Sequence, residues 1–97
     1  MSTETNASII AMNLFTAGDF CREIMVSTDV DGQEKFSVRI GDIGNRVCGI
    51  DNTTANKIVY ELEQRIKGRG MRPEINWTAK GSPLKRYNEF KRNNFLK

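Results

Sequence analysis

No histidine occurs among the 97 residues, which removes the commonest general base and the commonest metal ligand. The two cysteines, Cys21 and Cys48, have no close-spaced partner, so neither a zinc site nor a CxxC redox motif can be built. They could meet across adjacent strands. A chain without a secretory leader is expected in the reducing cytoplasm, however, where buried free thiols are the ordinary state. No apolar run is long enough to span a bilayer, so no membrane partner is expected. No paired carboxylates, Ser/His/Asp set or activated cysteine can be assembled, and the sequence argues against an enzyme. Gly41, Gly44 and Gly49 lack the spacing of a phosphate-cradling loop. Asp29-Val30-Asp31-Gly32 with Glu34 carries only part of a calcium loop and has no flanking helices. Neither a metal nor a cofactor is expected.

Charge is present in ordinary amount and unusual distribution. Residues 1–63 hold five cations against ten acids, a net of −5, and residues 64–97 hold ten cations against two acids, a net of +8. A basic tail on an acidic domain points to a polyanionic partner, either nucleic acid or an acidic protein surface. A solvated tail that only keeps the protein dispersed is the plainer alternative. The length suits one small domain with a single core.

The stretch from Asp51 to Gly70 specifies its own structure. Asp51, Asn52 and Thr53 offer side-chain oxygens to the free N–H groups of a first helical turn. Ala55, Ile58, Val59, Leu62 and Ile66 form one apolar stripe at helical spacing. Glu61 precedes Arg65, and Glu63 precedes Lys67, in the favoured i,i+4 order on the other face. Gly68 and Gly70 supply the stop.

Upstream the period changes to two. Ile24 and Val26 alternate with Glu23, Met25 and Ser27. The Asp31-Gly32 turn then leads to Lys35–Ile40, with Phe36, Val38 and Ile40 on one face. A second turn over residues 41–45 gives a third strand, Arg46–Ile50. Residues 8–15 (SIIAMNLF) are ambiguous between helix and strand: a helix would spread their apolar residues around more than one face, a strand would alternate imperfectly, and a short helix or irregular arm packed on the core is the preferred reading. Residues 1–7 are expected to be disordered. After Met71-Arg72-Pro73, residues 74–78 (EINWT) could add an edge strand.

The expected fold is therefore α+β: a three-stranded antiparallel meander, four-stranded if the edge strand forms, with one helix packed across it. Residues 1–79 would be the domain. Residues 80–97 would be a basic and aromatic C-terminal segment, either a tail or a docking helix.

Cations interleaved with aromatics are what a nucleic-acid-binding segment requires, for phosphates and for unpaired bases. The candidates are Arg65, Lys67, Arg69, Arg72, Lys80, Lys85, Arg86, Lys91 and Arg92, with Trp77 and Tyr87. The outward face of the hairpin adds Lys35, Arg39 and Arg46 as sheet-face contacts. Against these stand two ordinary roles, burial for the aromatics and outward alternation for the sheet charges.

The order strand, Asp-Gly turn, strand, turn, strand, helix resembles the module of integrase arm-binding DNA-binding domains. Phe36 in the second strand, Gly49 in the third and Thr53 at the helix start carry the likeness over about Arg22 to Ile66. Asp51 stands where that family has an aromatic. The order is also similar to the meander-plus-helix unit of Pur-type single-strand binders, with Gly49-Ile50 leading into Leu62. Both resemblances imply nucleic-acid binding.

The sequence thus reads as a small non-enzymatic nucleic-acid-binding protein, for DNA or RNA, in the style of a phage or mobile element. The alternative is a protein-binding inhibitor or adaptor of a host enzyme, working as a homodimer or higher homo-oligomer.

Overall fold

The computed structural model describes residues 3–17, 21–28, 35–41, 46–78 and 83–94. Along the chain these form helix α1 (Thr3–Ala17), strands β1 (Glu23–Thr28), β2 (Phe36–Ile40) and β3 (Arg46–Ile50), helix α2 (Asn52–Gly68), strand β4 (Glu74–Trp77) and helix α3 (Pro83–Asn94).

Helix α2 forms where its sequence dictates. Asp51 sits in extended backbone before it, and its Oδ1 accepts a 2.9 Å bond from the Thr54 N–H. The hydrogen bonds from Thr54 hold the Asp51 carboxyl below the ordinary carboxylate range, and the nearby charge of Lys35 acts in the same direction. All five residues of the apolar stripe are fully buried. At the other end, Met71 N–H donates to the Ile66 carbonyl at 3.2 Å and Gly70 N–H to that of Lys67 at 2.9 Å. This paired closure needs a left-handed residue, and Gly70 supplies it at φ 75°. Gly68 is still helical.

The strands β1, β2 and β3 make the expected antiparallel meander, with Val26 opposite Val38 and Val38 opposite Val47. The sheet as a whole is mixed, which corrects the expectation of a purely antiparallel one. β4 joins the free edge of β1 in parallel, giving the order β3-β2-β1-β4. The route of the chain explains this. α2 leaves the end of β3 and carries the chain back along the sheet to the end where β1 begins. A strand starting there beside β1 must run in the same direction, and a helical crossover is what parallel pairing requires. Glu74 N–H donates to the Arg22 carbonyl at 2.9 Å, and Thr78 N–H to that of Val26 at 2.8 Å.

Three helices, not one, accompany the sheet. α1 runs over residues 8–15 and also over residues 3–7, where disorder was expected. Among its described side chains the buried ones are Ala7, Ala11 and Leu14, a stripe made mostly of alanine, which lets the helix approach α2 closely. The longer Ile9 and Met12 remain 41% and 49% exposed. The two helices are also fastened by polar groups. Ser8 Oγ donates to Glu61 Oε1 at 3.0 Å, and Arg65 donates to Ser8 Oγ at 3.3 Å and to the Ser8 carbonyl at 3.4 Å.

The core lies between the helices and one sheet face, where Ile24, Val26, Phe36, Val38 and Ile40 meet the stripe of α2. Both cysteines are free, but Cys48 is exposed rather than buried as expected. A register irregularity between Phe36 and Val38 interrupts the pairing beside Cys48, where Gly49 adopts φ 71°. β2 lies between β3 and β1, so the strand of Cys48 does not adjoin the chain around Cys21. The turns expected at residues 29–32 and 42–45 lie outside the described residues.

Candidate nucleic-acid interface

α3 begins with Pro83, whose fixed φ suits a first helical position, and it docks through one side. Tyr87 is 1% exposed, its ring centroid 5.4 Å from that of Trp77 on β4 and 6.4 Å from that of Phe90. The Tyr87 hydroxyl donates to Glu63 Oε1 on α2. Burial, then the bond to Glu63 and the charge of that carboxylate, push the phenol far above its ordinary pKa. Lys91 completes the arrangement, with Nζ 4.7 Å from the centre of the Tyr87 ring and 3.8 Å from Glu63 Oε1. Lys67 Nζ approaches Glu63 Oε2 at 4.0 Å.

Glu63 is therefore the point at which α2 and α3 are joined. On sequence it reads only as the i,i+4 partner of Lys67. Its place one turn after buried Val59, on the flank of the apolar stripe, is the signal that it faces the protein interior.

This geometry sorts the candidate residues. Tyr87 is built into the core and does not present its ring to an unpaired base. Trp77 is half-buried against Tyr87, with an indole N–H that is enclosed without a hydrogen-bond partner. Arg65 is engaged internally, 2.9 Å from Glu61 Oε1 and bonded to α1. Lys91 is half-buried on Glu63. These four stand as structural residues because the same apolar and polar contacts that dock α1 and α3 consume them.

The remaining described cations of the C-terminal third are exposed. Lys67 and Arg69 lie at the end of α2, and Arg72 in the connection to β4. Lys85, Arg86 and Arg92 are on α3, with Glu89 among them. Arg69 lies with its guanidinium carbon 5.5 Å from the centre of the Phe15 ring. Lys80 lies outside the described residues.

The sheet-face candidates separate as well. Lys35 precedes β2 and is exposed near Asp51. Arg39 and Arg46 are cross-strand partners on β2 and β3. Their neighbours Val38 and Ile40 point into the core, so both arginines belong to the face that carries none of the buried apolar residues. No group of three or more metal-ligating side chains occurs among the described residues, and no described helix is long and apolar enough to cross a membrane. No protein-family model matches the chain, and no match is found among curated proteins or among solved structures.

Proposed function

We propose that the protein is a non-enzymatic nucleic-acid-binding protein that holds the phosphate backbone through the exposed cations Lys67, Arg69, Arg72, Lys85, Arg86 and Arg92. One observation carries this reading. Docking of α3 buries Glu63 and leaves these six cations exposed on α2, the connection after it and α3, against the exposed acids Glu74 and Glu89. A surface of that kind attracts a polyanion along its length. With Tyr87 in the core and Trp77 packed against it, contact through phosphates is favoured over stacking on bases, and the binding is largely independent of sequence. The reading keeps the cytoplasm as the place of action and a phage or mobile element as the style of protein.

A salt titration tests it. If four of the six cations touch phosphate together, log affinity for duplex DNA falls with log salt at a slope near −3.6, on the order of 100-fold between 50 and 200 mM. Replacing Lys85, Arg86 and Arg92 by Gln flattens the slope by about 0.9 for each phosphate that is no longer neutralised. No binding to DNA or RNA at low salt would end the reading.

The second reading, a protein-binding inhibitor or adaptor with self-association, draws on Ile9 and Met12, two large apolar residues left exposed on the outer side of α1. Concentration-dependent mass in sedimentation, abolished in a Met12→Lys variant, would favour it.

A further inference from the structure

We propose that the helix-free face of the sheet is a second nucleic-acid contact, centred on Arg39 and Arg46, so that one molecule bridges two nucleic-acid segments. The inference rests on the nucleic-acid reading above and extends it to a surface on the opposite side of the molecule.

Four observations converge on this face. Every described helix lies on the other side of the sheet, where Ile24, Val26, Phe36, Val38 and Ile40 are buried with α1 and α2, and where Trp77 of β4 meets Tyr87 of α3. On the uncovered side, the register places Arg46, Arg39, Met25 and Asn76 in one row across all four strands. At about 5 Å per strand, the two arginines are cross-strand neighbours at one end of that row. Among the described residues neither arginine has an ion-pair partner. The acids of the sheet, Glu23 and Glu74, are aligned with each other two positions further along β1 and β4, and Glu74 is taken by Arg22 at 3.1 Å.

Like charges directly opposite on neighbouring strands repel, so among the described residues the two arginines form a positive pair that a phosphate would relieve. Planar guanidinium groups suit phosphate through paired N–H donors. The adjoining row is Ser27 opposite Ser37, of which Ser37 is buried, so the contact is confined to the arginine row. Charge complementarity therefore favours the phosphate backbone as the occupant. The cations of α2 and α3 are carried by helices packed on the other face of the sheet, elements separate from the strands that carry Arg39 and Arg46.

Retention of a labelled 20-base-pair DNA on beads carrying a second, unlabelled DNA tests the proposal with the full chain. The wild type should hold the two together at low salt. Arg39→Gln/Arg46→Gln should lose at least tenfold in bridging. It should still bind a single DNA in solution, at a salt slope shallower by about 1.8 or less, and its circular dichroism should be unchanged. Bridging as efficient in that variant as in the wild type would overturn the proposal, as would a wild type that binds one DNA and never bridges. Bridging of polyglutamate in place of DNA would overturn it in favour of an acidic protein partner. Failure to bind any single DNA or RNA would instead remove the reading beneath it.

Discussion

Replacing Tyr87 by Phe removes one hydroxyl and leaves the ring to pack on Trp77 and under Lys91. The hydrogen bond it deletes is the one donated to Glu63, a carboxylate within the protein. A hydrogen bond to a charged group contributes about 1.5–3 kcal/mol. Lys91 and Lys67, at 3.8 and 4.0 Å from Glu63, still offset its charge, so a loss of about 2 kcal/mol at pH 7 is expected. For a domain of this size that is a fall in Tm on the order of 10 °C.

The alkaline limb gives a second, sharper reading. The folded phenol ionises far above its ordinary value, whereas the unfolded one ionises near pH 10. Its contribution is then fully present below about pH 10 and declines by about 1.4 kcal/mol per pH unit above it. The gap between wild type and Tyr87→Phe should narrow from about 2 kcal/mol at pH 7 to about 0.6 at pH 11. Urea unfolding of both proteins at the two pH values, followed by circular dichroism, measures it. Tyr60 and the lysines are common to both proteins and cancel. A difference under about 0.5 kcal/mol at pH 7, or a gap that stays constant with pH, would refute the role given to the Tyr87–Glu63 hydrogen bond.

Two further outcomes follow from α2. Leu62→Asp places an unpaired charge in a fully buried site and should cost more than about 4 kcal/mol, leaving little folded protein; an unchanged melting curve would show that the stripe does not face the core. Asp51→Ala should cost about 1 kcal/mol at pH 7, and Asp51→Asn only a few tenths, because Asn also caps. The Asp51 carboxyl is depressed by Thr54, so its cap contribution is present above about pH 4 and lost as pH falls through the lower folded value. The gap between wild type and Asp51→Ala in urea should accordingly close toward pH 2–3.

Features fixed by neighbours in sequence were legible. The cap at Asp51, the stripe from Ala55 to Ile66, the left-handed Gly70 and the alternation of β1 and β2 all depend on spacings of a few residues. Features set by distant segments were not. Nothing local distinguishes a parallel from an antiparallel edge strand at residues 74–77, since the choice depends on where α2 delivers the chain. In α1 the buried face is Ala7, Ala11 and Leu14, while the more hydrophobic Ile9 and Met12 stay outside, so a search for large apolar residues misplaces its inner side. Arg65 and Tyr87 drew attention as a cation and an aromatic in a basic segment. Their burial follows from Ser8 and Glu63, partners 57 and 24 residues away. The candidate site was thus legible as a basic segment, but not as the subset of its cations that stays exposed.

A titration of 15N-labelled protein with a short DNA duplex at low salt, followed by backbone NMR, examines that surface most directly. The largest shifts are expected at residues 67–72 and along the exposed side of α3 at Lys85, Arg86 and Arg92, with a second set at Arg39 and Arg46, all shrinking as salt is added. Shifts confined to Ile9, Met12 and their neighbours on α1, or none at any salt concentration, would contradict the account.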